Sequence, residues 1–236
     1  WITNKDNKEI IFDLQFKSPD VYNNMMVFNL VCYINNPYGD RGWGGIGPTQ
    51  DLVDEFELKD GTPAPAFSQK DNGEVFDVNT SKIYENREPR FYANIVFHGS
   101  EIFFKGDKGP VTVDHYLMDT PDKGDASQTG YNVWKWIDYD NYNYPYAGAS
   151  GKDHSTNWIM IRYEAEARVE TNDIQGALKA VNEIRARVGL PAYTETNQEK
   201  LRQLIRKERR LELAFEDHRF YDVRRWRIGA QTQGKL

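Results

Sequence analysis

The segment YNVWKWIDYDNYNYPYAGAS, Tyr131 to Ser150, sets Trp134, Trp136, Tyr139, Tyr142, Tyr144 and Tyr146 among Asp, Asn and Lys. That mixture suits the recognition of sugars. A pyranose ring has an apolar C–H face that a flat aromatic can cover, and a rim of hydroxyls that Asp, Asn and Arg can engage by hydrogen bonds. Trp134 and Trp136 lie two residues apart, so on a strand they share a face. They serve either as ligand platforms or as core residues, the ordinary fate of large aromatics. The later DYDNYNYPYAG is more polar, and its alternation of Tyr with Asn and Asp resembles an adaptable binding surface. A second candidate is NPYGDRGWGG, Asn36 to Gly45, where five of ten residues are Gly or Pro and Tyr38, Asp40, Arg41 and Trp43 project. Trp43 beside Arg41 makes a glycan platform on a loop, or else tucks beneath the turn.

Other chemistry finds less support. Glycoside hydrolysis needs two carboxylates about 5–10 Å apart, and no Asp or Glu here sits in a recognisable catalytic frame. His98, His115, His154 and His218 are scattered, without the H-E-x-x-H spacing that binds zinc. The turns DGTPAP and KGDKGP lack a phosphate-binding pattern. No catalytic residue and no cofactor are expected. DTPDKGDASQ, Asp119 to Gln128, offers oxygen ligands for a structural Ca²⁺, but it departs from the EF-hand pattern and reads more readily as a solvated loop.

Arg206 to Arg227, RKERRLELAFEDHRFYDVRRWR, holds seven arginines and one lysine against five carboxylates in a chain of net charge -6. On a helix, Glu208, Glu212 and Glu216 stack on one face, where they repel unless cations intercalate. Arg209 lies three residues before Glu212, and Arg219 or Arg224 could reach in; arginine suits this because its planar fork grips a carboxylate at two points. A helix that reads nucleic acid would not line its face with glutamates, and an acidic chain is a poor ligand for phosphate. The arginines are therefore expected to form an internal salt-bridge network, and no nucleic-acid partner is expected.

The elements that must position these residues change character along the chain. Residues 1–157 read as an irregular, loop-rich, ligand-binding region with short strands, such as Glu9–Phe16 and Arg90–His98, the latter alternating Phe91, Ala93, Ile95 and Phe97. PTQDLVDEFELKDGTP reads as a helix opening at Thr49 and ending at its Gly–Thr–Pro turn. Cys32, the only cysteine, lies in an apolar run and is expected to fill core. Residues 158–236 read as a helical region: an αα-hairpin followed by an Arg/Glu-rich helix. The hairpin pairs NWIMIRYEAEARVE with IQGALKAVNEIRARVG, whose Ile174, Ala177, Leu178, Val181, Ile184 and Val188 share a face. Asn172 or Asp173 caps its start, and Gly189 with Pro191 ends it. Thr196 or Asn197 opens the last long helix, which carries Leu201, Leu204, Ile205, Leu211 and Phe215.

LIRKERRLELAFEDHRFYDVRRWR resembles the C-terminal signature of the SusD/RagB family, and NREPRFYANIVFHG, IQGALKAVNEIRARVGLP, GPTQDLVDEFELKDGTP and SQTGYNVWKWID agree with further family segments in order. The resemblance implies a mainly α fold with extensive irregular loops, a few short strands and a tetratricopeptide-like helix pair near the C-terminus. It also implies a lipid-anchored protein on the extracellular face of the outer membrane of Bacteroidota-type bacteria. Such proteins bind a glycan, without catalysis, for import through a SusC-like TonB-dependent outer-membrane transporter. A surface glycoside hydrolase and a SusD-like binder of peptide are the alternatives.

The chain departs from the family in several places. Nothing corresponds to the N-terminal half, which carries the export signal, the lipid-bearing cysteine and most helix pairs; the closing Pro- and Asn-rich segment is also missing. NWIMIRYEAEARVE looks about two turns short, roughly 10 Å of helix at 1.5 Å per residue, and Asp217 stands where the family usually has Gly. The chain is expected to be a fragment with an omitted internal segment. Trp43→Ala and Tyr144→Ala are expected to weaken glycan binding while leaving thermal unfolding unchanged. Unaltered retardation of both variants in glycan-containing native gels would move the site elsewhere.

Overall fold

The computed structural model describes residues 10–14, 44–65, 82–102, 110–113, 127–135, 158–161 and 164–233. The chain divides into two compact units. The first comprises Trp1–Asp54, Ala64–Arg87 and Phe91–Arg162; the second comprises Glu55–Pro63, Glu88–Arg90 and Tyr163–Leu236. Among the described residues helix outweighs strand, as expected.

Among the described residues the first unit holds three two-stranded antiparallel ladders. Strand β1 (Ile10–Leu14) pairs with β6 (Trp158–Ile161), with Leu14 opposite Trp158 and an irregularity between Ile10 and Phe12. Strand β2 (Ile95–Val96) pairs with β5 (Asn132–Val133), and β3 (Glu101–Ile102) with β4 (Val111–Thr112). Helix α1 (Gln50–Glu55) begins where expected, with the amides of Leu52 and Val53 both donating to the Thr49 carbonyl at 3.1 Å. Its Val53 and the following Phe56 are buried.

Two elements differ from expectation. Residues 90–98 are not one strand: helix α2 (Pro89–Asn94) precedes the two residues of β2. Proline at the first helical position needs no amide partner and carries a helical φ already, and this outweighs the alternating pattern. Trp158–Ile161 is likewise strand, not helix, so the hairpin begins only with α3 (Glu164–Glu170). Four consecutive apolar residues are periodically ambiguous, and pairing with β1 decides their state.

In the second unit, α3 packs against α4 (Ile174–Arg187) and α5 (Gln198–Glu212) around Ala165, Val169, Ala177, Val181, Leu201 and Ile205. Asp173 caps α4, its side chain accepting from the Gly176 amide, and Asn197 caps α5 by accepting from the Lys200 amide. Gly189, at φ +75°, reverses the chain after α4 while the Leu190 amide donates to the Arg185 carbonyl at 2.9 Å. Helix α5 ends at Glu212, so Phe215 lies beyond it with φ +66°, ahead of α6 (His218–Arg225) and α7 (Gly229–Gln233). Asp217, at φ +60°, occupies a left-handed position that glycine takes more readily.

The row of buried residues on α4 runs Ala177, Val181, Arg185, and that on α5 runs Leu201, Ile205, Glu208. Each row includes a charge, with Leu211 following Glu208 on α5, and the two charges meet. Arg185 is 2% exposed and Glu208 fully buried, with Nη1 to Oε2 at 3.0 Å. Arg185 also donates to Glu57 Oε2 at 3.0 Å and to the Pro191 carbonyl at 2.6 Å, and lies 3.8 Å from the centre of the Tyr193 ring. The other oxygen of Glu208 accepts from Arg90 at 2.6 Å. Arg90 further holds Glu88 at 2.6 Å and Glu212 at 3.1 Å, Lys207 reaches Glu57 at 2.8 Å, and Arg187 binds Glu212. An internal network thus exists as expected, but the cations on Glu208 and Glu212 come from Arg90, Arg185 and Arg187. Arg209 turns instead to Asp222 at 2.8 Å, with Glu166 at 3.7 Å.

Glu166 anchors a second cluster. Its oxygens accept from Arg225 at 2.6 and 2.9 Å and from the Trp226 indole at 2.6 Å. Burial would raise the Glu166 carboxyl, but hydrogen bonds from Arg225 and Trp226 prevail and hold it below the usual carboxylate range. Asp222 is lowered in the same way, its burial outweighed by Arg209 and Arg225. Glu88 moves oppositely: burial raises it despite Arg90.

Two outcomes follow for stability. Glu208→Ala leaves two buried arginines without their shared carboxylate and is expected to cost about 3–5 kcal/mol in urea unfolding, whereas Arg185→Met with Glu208→Leu should cost far less than the sum of the single changes. A carboxylate depressed in the folded state stabilises above its unfolded pKa and loses that contribution as pH falls through the folded value. Glu166 and Asp222 therefore make the urea midpoint fall on acidification below about pH 4.5, with Glu88 contributing the opposite slope. Glu166→Gln should flatten this fall, which urea titrations from neutral pH downwards would measure.

Candidate functional site

Of the aromatic segment, residues 131–135 are described, and they carry Trp134 into a cleft of the first unit. The approach is fixed from below. Ser127 Oγ donates to the Tyr131 carbonyl at 2.5 Å, and Gly130 takes φ +72°, turning the chain into β5. Gly47 lies against this turn, where a Cβ would come within 2.4 Å of Thr129 Oγ1, so only glycine fits there. Ile95 then lies opposite Val133 and Val96 opposite Asn132, and the Trp134 amide extends the ladder by donating to the Asn94 carbonyl at 2.8 Å. Trp134 is half-buried, so the structure gives its ring both a core-facing and a solvent-facing part.

A chain of hydroxyls locks the same region. Tyr131 donates to Gln50 Oε1 at 2.8 Å, and the Tyr84 hydroxyl lies 3.0 Å from that of Tyr131. Gln50 in turn donates to Asp54 at 2.7 Å. Burial raises the Tyr131 hydroxyl, so it stays a neutral donor at ordinary pH. Behind it Tyr84, Phe91 and Phe97 form an aromatic core, with ring centres 4.3 Å apart for Tyr84–Phe97 and 5.3 Å for Phe91–Phe97. Arg87 is fully buried beside them and donates to the carbonyls of Ile83 at 2.8 Å and Val53 at 3.1 Å. Burial lowers its guanidinium pKa, a shift far too small to uncharge an arginine at neutral pH.

The cleft has a volume of about 170 Å³ and is lined by Trp134 with Tyr92, Ile95, Val96, Phe97, Ser100, Glu101 and Ile102. Pockets that enclose a whole small molecule span about 300–1,000 Å³. This one accommodates an edge or single ring of a ligand. Its lining mixes the apolar residues Ile95, Val96, Phe97 and Ile102 with the polar groups of Ser100 and Glu101. Tyr92 contributes ring surface only, since its hydroxyl donates to the Tyr84 carbonyl at 2.6 Å and accepts from the Arg87 amide at 3.2 Å.

Of the residues expected to bind ligand, Trp134 is the one the structure sets in this cleft. Tyr38, Arg41, Trp43, Trp136, Tyr139, Tyr142, Tyr144 and Tyr146 lie outside the described residues, as do Cys32 and Asp119–Ala126 of the candidate calcium segment. Tyr92, Ser100 and Glu101 were not foreseen. The HGS turn, with Gly99 at φ +88°, is the signal that could have marked Ser100 and Glu101 as its exit. The carboxylates of the ionic network offer no acid–base pair, because Glu57, Glu88, Glu208 and Glu212 are all held by arginine or lysine.

Comparison with known proteins gives a consistent result. The sequence pattern of the SusD family matches residues 8–236. A SusD-like protein of known structure from Bacteroides fragilis is 72% identical, superposes with a TM-score of 0.85, and is matched over 98% of this chain and 46% of its own. A SusD-like carbohydrate binding protein from the same species is 27% identical, with a TM-score of 0.71 over 95% of this chain and 43% of its own. SusD-like protein P2 of Formosa agariphila is 35% identical over 103 residues, 37% of this chain and 20% of that protein. The chain thus spans less than half the length of these relatives.

Proposed function

Because this chain belongs to the SusD family, we propose that it is a non-catalytic glycan-binding protein of the cell surface. In this reading it holds oligo- or polysaccharide at the extracellular face of the outer membrane, where a lipid anchor tethers the whole protein. It passes the ligand to a SusC-like TonB-dependent transporter. The observation that carries the reading is the half-buried Trp134 at the wall of a small cleft of mixed polarity in a chain of this family. The relative described as carbohydrate binding supports it.

The cleft is small, so it acts as one subsite among several. Aromatic residues of the flanking segments, Trp136 to Tyr146 and Tyr38 to Trp43, supply the others. No carboxylate of the ionic network is placed for hydrolysis, which favours capture over turnover. Calcium, if bound at Asp119–Gln128, would be structural.

The decisive test is native affinity electrophoresis against soluble polysaccharides, with reducing ends assayed in the same mixtures. Retardation on at least one glycan without new reducing ends is expected; release of reducing ends would make the protein a hydrolase. Trp134→Ala should weaken binding about three- to tenfold, since an aromatic contact of this kind is worth about 0.5–1.5 kcal/mol. Its folded state can be checked by circular dichroism, and Trp134→Phe should retain part of the affinity. Equal retardation of both variants and the parent would remove Trp134 from the site.

A further inference from the structure

The cleft also has a sign of charge. Glu101 begins β3, opposite Thr112, with its side chain exposed while the next residue, Ile102, is buried. Glu101 is the one charged residue among the described residues that line the cleft. Among those residues no arginine, lysine or histidine balances it. The other polar groups are largely committed: the Tyr92 hydroxyl bonds to Tyr84 and Arg87, and Ser100 Oγ accepts from the Phe97 amide at 2.9 Å. What a ligand meets beside Trp134 is therefore a mixed surface of polar and apolar groups in which Glu101 is the one charge.

We propose that Glu101 makes this cleft selective for an uncharged sugar ring and against uronate and sulfated sugars. The inference rests on the glycan-binding reading above. Sugar hydroxyls are donors, and a carboxylate is a stronger acceptor than a neutral oxygen. A uronate places a second carboxylate against the first, a repulsion that a low-dielectric wall such as the indole and Phe97 strengthens. The chain's net charge of -6 acts in the same direction at longer range.

The test uses matched probes: a soluble glucan, mannan and galactan, each compared with the same polymer oxidised at C6 to the uronate. Binding is measured by affinity electrophoresis and calorimetry. The protein is expected to bind at least one neutral polymer, and its oxidised counterpart at least about fivefold more weakly at low salt, with the gap narrowing as ionic strength rises. Glu101→Gln, an exposed and nearly isosteric change, should shrink the ratio of neutral to oxidised binding at least about twofold, with some loss of neutral affinity as the charged acceptor is removed. Equal or tighter binding of the oxidised polymer would overturn the charge selectivity and leave the glycan reading standing. A gap that Glu101→Gln does not move would do the same, placing the selectivity elsewhere. Failure of the folded protein to bind any of the six polymers would overturn both.

Discussion

The helical unit depends on one buried contact, Arg185 with Glu208. Neither charge would survive alone in that position, since an unpaired buried ion costs several kcal/mol. Each makes the other tolerable only because every remaining lone pair and N–H is also met. Arg185 reaches Glu57, the Pro191 carbonyl and the Tyr193 ring; Glu208 reaches Arg90. Satisfying these groups fixes the rotation of α4 against α5, the course of the turn at Pro191 and the position of the strand-like bridge at Glu57. A purely apolar seam of similar volume often packs at least as stably, so the contact adds less net stability than the loss of either partner would cost.

The first unit reaches rigidity by different means. Its elements are short, with ladders of two residues at β2–β5 and β3–β4, and two-stranded pieces of that size are not stable alone. What holds them is side-chain bonding to backbone. Arg87 donates to two carbonyls from its buried position, and the Tyr84–Tyr131–Gln50–Asp54 series links three segments distant in sequence. The aromatic core of Tyr84, Phe91 and Phe97 fills the space behind. This arrangement leaves irregular backbone free to present Trp134 while its support stays fixed, as a pre-organised binding wall requires.

Much of the helical unit was legible from local rules. Asp173, Asn197 and Gly189 act as caps for the reasons their chemistry gives, and the apolar periodicity of α4 and α5 is real. Periodicity could not show that Arg185 and Glu208 continue the buried rows, because a charged residue at a core position reads as surface unless its partner is known. The partners lie far along the chain, with Arg90 separated from Glu208 by 118 residues, and no local rule reaches so far. Short strands failed differently. In Arg90–His98 and Trp158–Ile161, weak local preference yields to proline geometry and to a distant pairing partner. The candidate site was legible only as composition, a run of aromatic and polar residues; that Trp134 lines a cleft with Tyr92 and Glu101 depends on the turn at Ser127–Gly130 and on the β2–β5 pairing, which no local rule gives.

The separation of these two kinds of structure bears on how such a protein could change its ligand. Residues of the ionic seam are coupled, so replacing one strands its partners, and several must change together for the fold to tolerate it. At the cleft, Glu101 has an exposed side chain, whereas the Tyr92 hydroxyl is bonded and its ring packs on Phe91 and Phe97. A change at Glu101 is therefore absorbed locally, while a change at Arg185 or Glu208 is felt through every partner of the ionic seam. Family membership thus constrains the frame far more than the ligand.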